Sequence, residues 1–174
     1  MKQRSQAEQS KYLLTETLLE MMETQAFESI TIKALTERAG ISRLTYYRHF
    51  KSKEDVILEH ISLVFERYFN EIRKHKTLTL KTALVLCFSY WRNDERLAKL
   101  LVKHQLTGLL YQSFSKYLEV VLSLAILPYE ISHFQKKFIE GGLVTVMIDW
   151  MSYSNDKSET EVADLIIELV SILE

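Results

Sequence analysis

Breakers and cross-links are scarce in this 174-residue chain, which holds one proline, four glycines and a single cysteine, Cys87. One thiol excludes an intrachain disulfide, so packing alone must hold the fold, and a reducing compartment suits it. Cys87 sits in the apolar run LVLCFSYW and reads as a small buried hydrophobe rather than a reactive thiol. So few glycines and prolines exclude a loop-rich chain and point to an all-α protein. Every apolar run meets a charged or polar side chain well before the roughly 18 residues that a membrane span requires. No signal peptide is visible either, so the expected location is cytoplasmic, without a membrane partner. Also missing are a Gly-rich phosphate loop, a Cys/His spacing suited to a metal and a nucleophile motif. The five histidines are scattered, and no catalytic residue, metal or cofactor is expected.

Strong net charge is absent as well, at −1 for the whole chain. Its distribution is uneven. Residues 1–53 hold nine Lys/Arg against six Asp/Glu, and the remainder thirteen against seventeen. A basic head on an acidic body suits a protein that presents one end to nucleic acid. The apolar share of 47% is enough to bury a core across both parts.

The stretch from Thr31 to Lys53, TIKALTERAGISRLTYYRHFKSK, organises the head. Thr31 is placed to cap a helix in which Ile32, Leu35 and Ala39 recur at helical spacing. Gly40 falls where that helix must end in a left-handed residue, Ile41 follows as an apolar plug, and Ser42 caps the next helix. A short helix, a tight turn and a second short helix form a helix-turn-helix, whose second helix enters the DNA major groove. On that second helix Tyr46 and Phe50 face back toward Leu35 and Ile41. Arg43, Leu44, Thr45, Tyr47 and Arg48 face outward. Between Lys33 and Lys53 stand six Lys/Arg and one acid, Glu37, the footprint that phosphate neutralisation requires.

Thr31, Leu35, Ala39-Gly40-Ile41-Ser42, Tyr47, His49-Phe50 and Lys53 resemble the N-terminal DNA-binding signature of TetR-type repressors. Two positions depart from it: Thr36 replaces the usual Ala, and Leu44 the usual Gly before Thr45. The resemblance implies a homodimeric, all-α transcriptional regulator with a three-helix DNA-binding domain at 1–53 and a helical ligand-binding and dimerisation domain at 54–174. It implies a palindromic double-stranded operator and a small apolar or aromatic effector. The alternative is a TetR-like coactivator governed by a protein partner. Within this frame Arg43, Thr45 and Tyr47 are the expected groove contacts, Arg43 as a bidentate reader of guanine and Leu44 against a thymine methyl. Arg48, His49 and Lys53 are expected at phosphates, with Thr31 and Ser42 at the helix starts.

The rest of the chain reads as helices and short connections. Residues 1–5 suggest a mobile arm, and a helix is expected from Gln6 to Thr24. A long helix from about residue 54 to Lys74 resembles the family's lever between head and body, with Glu59 and His60 expected as exposed polar groups. After the linker HKTLT come a helix at about 79–92, another started by Asn93-Asp94-Glu95 with Leu97, Leu100 and Leu101 on one side, and a longer one at about 105–127, ended by Pro128. Phe88, Trp91, His104, Tyr111, Phe114, Tyr117 and Phe138 are the candidate ligand contacts, an aromatic set fit to line an apolar cavity. Two final helices, about 134–153 and 160–174, resemble the four-helix dimer interface of the family. Gly141, Gly142, Val146, Trp150, Leu165, Ile166, Leu169 and Ile172 are its candidates. Each mid-helix Gly costs about 1 kcal/mol relative to Ala, which suggests close approach by another helix there. The stretches YWRNDERLAKLLVKHQ and FIEGGLVTVMIDW also resemble the C-terminal domain of a Firmicute branch related to dihydroxyacetone-kinase regulators.

Overall fold

In the computed structural model the described residues are 5–124, 132–152 and 157–172, and among them every regular element is a helix. The head comprises α1 (Gln6–Thr24), a short 3-10 turn (Phe27–Ser29), α2 (Ile32–Ala39) and α3 (Arg43–His49). The body follows as α4 (Lys53–Ile72), α5 (Leu80–Arg92), α6 (Glu95–Lys103), α7 (Thr107–Leu124), α8 (His133–Ser152) and α9 (Glu159–Ile172). Most of the basic arm, and the Pro128 expected to end α7, lie outside the described residues. Ser5 belongs to α1 rather than to the arm. Its hydroxyl accepts from the Glu8 N–H at 3.2 Å while its own N–H donates to the Glu8 carboxylate at 2.7 Å, a reciprocal cap that fixes the helix start.

Local chemistry sets the other boundaries. Thr31 accepts from the Ala34 N–H at 3.1 Å, and Ser52 and Thr79 cap α4 and α5 in the same way. Gly40 takes φ 66°, the left-handed conformation that lets the chain leave α2 without a Cβ clash. The helix expected from Gln105 begins instead at Thr107, because Gln105 itself is left-handed at φ 57°. The Leu106 N–H reaches back to the Leu101 carbonyl at 2.8 Å, closing α6.

Around α4 the molecule is built. One face buries Val56, Ile57, Ile61, Val64, Phe65, Tyr68, Phe69 and Ile72, each large apolar side chain contributing about 1.5–3 kcal/mol of burial. Toward its start α4 meets α1, and beyond that α5 and α7, so one continuous apolar core runs from Leu14 and Met22 through Phe65 to Trp91 and Val144. Glu59 and His60 correct the expectation of exposed polar groups. Glu59 pairs with Lys11 of α1, and His60 meets the Asp94 carboxylate before α6 at 2.5 Å, with side chains 12% and 19% exposed. Adjacent on α4, they point apart and clamp the lever to the head on one side and the body on the other.

Candidate nucleic-acid interface and body cavity

The turn from α2 into α3 is fixed by hydrogen bonds made within a few residues. Ser42 accepts from the Thr45 N–H at 3.1 Å, and the two hydroxyls lie 2.9 Å apart. Behind α3, Tyr46 and Phe50 are buried with Leu35, which leaves the opposite side to solvent. There Leu44 is 72% and Tyr47 57% exposed, so both side chains are open to a partner. Arg43 and Arg48 are exposed beside them and make no ion pair among the described residues, whereas Lys33 and Arg38 of α2 are paired with Glu37 and Glu20. The head's unneutralised charge is therefore concentrated on the recognition helix and just beyond it, where the exposed Lys51 ammonium meets no carboxylate among the described residues, its backbone N–H donating to Asp55 at 2.8 Å. Lys51 belongs to the basic stretch of the sequence but not to the contacts expected from it. Thr31 and Ser42 are exposed at the helix starts, while Thr45 and His49 are half-buried, His49 against the Phe50 ring at 6.3 Å.

Lys53 is placed differently. Its ammonium donates to the Phe27 carbonyl and lies 4.3 Å from the centre of the Phe27 ring. Burial lowers its pKa, partly opposed by Glu54 and Glu28. This lysine ties the start of α4 to the 3-10 turn of the head.

In the body a narrow cavity of about 60 Å³ opens between α4, α5, α7, α8 and α9, its wall including Phe65, Leu84, Phe114, Tyr117, Leu143 and Ile166. Cys87 lines it too, and burial pushes the thiol up to about 12, so it is a neutral, unreactive group at ordinary pH. Of the seven expected ligand contacts, Phe114 and Tyr117 reach this cavity. Phe88 and Trp91 are solid core, packed on Trp150 at 5.1 Å and Phe65 at 5.5 Å. The Tyr111 hydroxyl meets that of Thr145 at 2.6 Å, and Phe138 is 67% exposed. His104 bridges body to head, its Nε2 donating to the Met22 carbonyl at 2.7 Å and its Nδ1 accepting from the Phe27 N–H at 3.4 Å. Helical spacing had identified aromatic faces but not their depth, and Phe65, Leu84 and Leu143 were missed because nothing local separates a cavity wall from core.

The expected dimer residues divide as well. Trp150 and Ile166 turn into their own subunit, at 5% and 9% exposure, and Trp150 donates to the Lys157 carbonyl at 3.0 Å. Both are thus packed within the core of their own subunit. Val146 and Gly141 are half-buried, while Gly142, Leu165 and Leu169 are exposed. Among the described residues an added Cβ at Gly141 or Gly142 would meet nothing within 4 Å. The side chain of Ile172 lies outside the described residues.

A capped helix-turn-helix with an exposed basic second helix, set on an all-helical body, is the layout of DNA-binding transcriptional regulators. Residues 14–60 match the family model described as bacterial regulatory proteins, tetR family. The N-terminal domain is of the TetR family, a family of non-enzymatic regulators, and the chain as a whole has the fold of such proteins. Among solved structures it is similar to Lin0861 from Listeria innocua, with a TM-score of 0.84 at 20% identity over 100% of this chain and 96% of that one. The dihydroxyacetone kinase operon activator DhaS matches with a TM-score of 0.62 at 15% identity, over 94% of this chain and 95% of its own. The regulator FadR from Bacillus subtilis, solved in complex with stearoyl-CoA, gives 0.57 at 18% identity, over 91% and 96%. At these identities the likeness is one of fold. No curated protein matches the sequence. Among the described residues no helix is long and apolar enough to cross a membrane.

Proposed function

We propose that the protein is a homodimeric repressor that binds a palindromic operator through residues 1–53 and leaves it when a small apolar effector enters the body, residues 54–174. The observation that carries this reading is the outer face of α3. Arg43 and Arg48 stand exposed beside the exposed Tyr47 and Leu44, with no carboxylate partner among the described residues, so the helix offers base-reading and phosphate-holding groups to an outside partner. Arg43, Thr45, Tyr47 and Leu44 are assigned to the groove, and Arg48, His49 and Lys51 to phosphates. Lys53 has a shared role, since its ammonium is engaged with Phe27 in the free protein. Dimerisation sets two heads about 34 Å apart on successive turns of one DNA face. The effector reading draws support from the apolar cavity against α4, and from FadR, which holds stearoyl-CoA in the same fold.

The test is selection of genomic fragments by purified protein at physiological salt, beside Tyr47→Ala. Enrichment of palindromic sites that is lost in the variant is the expected result. A folded, dimeric protein that enriches nothing would sink the operator reading. Placing a recovered site upstream of a reporter then gives the sign, with lower expression expected when the protein is present.

A further inference from the structure

Outside the cavity, α4 and α7 border a surface groove of about 470 Å³ whose walls include Phe69 and Tyr117 and whose charged groups are Arg73, Lys116 and Glu66. The size is that of a small-molecule site. Elsewhere in the body cations are largely neutralised: Lys74, Lys81, Arg92, Arg96, Lys99, Lys136 and Lys137 each meet a carboxylate. Arg73 and Lys116 meet none among the described residues. The Arg73 guanidinium instead lies 5.9 Å from the centre of the Phe69 ring, and the Lys116 ammonium 5.8 Å from that of Tyr117. The groove thus sets two unneutralised cations, against the single carboxylate of Glu66, beside an aromatic surface.

Tyr117 is also the wall between this groove and the interior. It lines both spaces, and its ring stacks on Phe65 with centres 4.1 Å apart and planes 21° from parallel. Behind it the cavity offers almost nothing polar. The Tyr68 hydroxyl is already donated to the Ala83 carbonyl at 3.1 Å, and Cys87 presents a neutral thiol. A charged group would be stranded inside, whereas at the groove it would meet two cations and water. The order of polarity is therefore anion outside, hydrocarbon inside, with a side chain between them that rotamer motion can swing aside. About 60 Å³ of free space holds only a few water-sized groups, so a tail enters by displacing Tyr117 from Phe65.

We infer that groove and cavity form one site for an amphiphile with a single anionic head, carboxylate or phosphate monoester, on a short alkyl chain. Arg73 and Lys116 hold the head, and the tail passes Tyr117 into the apolar interior. The proposal deepens the effector reading and rests on it for any consequence at DNA; the binding itself stands apart.

The experiment is calorimetric titration of the full-length protein with octanoate, octyl phosphate, octanol and inorganic phosphate, repeated on Arg73→Ala/Lys116→Ala. At least one octyl anion is expected to bind tenfold or more tighter than octanol and than inorganic phosphate, and the tighter of the two names the head group. The double variant should lose tenfold or more for that anion while its octanol affinity is unchanged, a selectivity that general loosening would not produce. Quenching of Trp91, which packs edge-on against Phe65, should report displacement of Tyr117 on binding. Equal binding of octanol and the anions, binding of inorganic phosphate as tight as that of octyl phosphate, absence of binding by all four, or an unaltered double variant would each overturn the site. Operator release is scored separately. Tight anion binding without release keeps the site and removes the effector reading, while operator binding with no amphiphile bound removes the site alone.

Discussion

Tyr46 stands behind the recognition helix with its side chain fully buried and its hydroxyl without a hydrogen-bond partner among the described residues. A buried hydroxyl left unpaired costs about 1–3 kcal/mol. Its burial, with smaller effects from Asp55, Tyr47 and Glu54, pushes the phenol up from 10.0 to about 12. Two consequences follow for Tyr46→Phe. At neutral pH the variant should be more stable by about 1 kcal/mol, because the ring still fills its place against Phe50 and the orphan polar atom is gone. The pH dependence has a definite sign. Below the unfolded value of 10.0 both states hold the proton; from there to about 12 only the unfolded chain ionises, so the native protein loses stability as pH rises. The variant should show less loss over that window, measured by urea denaturation at a series of alkaline pH values. Tyr47→Ala, on the outer side of the same helix, should leave stability nearly untouched. A destabilised Tyr46→Phe would mean that the hydroxyl has a partner, such as an ordered water.

Among the elements, those closed by local chemistry were the ones legible in the chain. Thr31, Ser42 and Thr79 cap helices through bonds reaching three residues on, and Gly40 is demanded by its own backbone; each of these can be read from a few consecutive letters. The junction of α6 and α7 could not be read so, because Gln105 is left-handed without being Gly or Asn. Such a conformation costs a residue with a Cβ about 1–2 kcal/mol. It is held by packing on either side, where Lys103 donates to the Glu23 carbonyl at 2.6 Å and His104 to that of Met22. Clamps of this kind, like Glu59 with Lys11 and His60 with Asp94, join residues far apart in the chain, and no pattern on one helix announces them. Gln105→Gly should relieve the strain and, after the entropy that Gly adds to the unfolded chain, stabilise the protein by about 0.5–1 kcal/mol. Thermal unfolding by circular dichroism measures this as a rise in Tm. A fall would show that the Gln105 side chain makes contacts that matter more than its backbone.

For the molecule as a whole, the ambiguity in the sequence was which chain each apolar stripe meets. Trp150 and Ile166 carry the same periodic signal as Leu165 and Leu169, since spacing records a face and not its partner. The structure separates them: the first two are core, while Leu165 and Leu169 remain 46% and 63% exposed at the end of the chain. Phe134 and Phe138, 83% and 67% exposed on α8, add to the uncovered apolar surface. A second copy of the chain is the occupant that the DNA reading requires, because a single head holds one half-site weakly. Leu165→Glu/Leu169→Glu tests this without touching the core, as neither residue contributes to the buried cluster of its own subunit. The variant should keep its helical content and Tm measured at low concentration, but sediment as a monomer where the parent sediments as a dimer. Burying two carboxylates in an apolar seam is unfavourable enough to dissociate it. Operator affinity should then fall by at least tenfold for the palindrome and hardly at all for an isolated half-site, because each head is intact and only the linkage between heads is lost. A variant that remains dimeric would move the interface elsewhere, and the exposed side of α8 around Phe134 and Phe138 would be the next surface to charge.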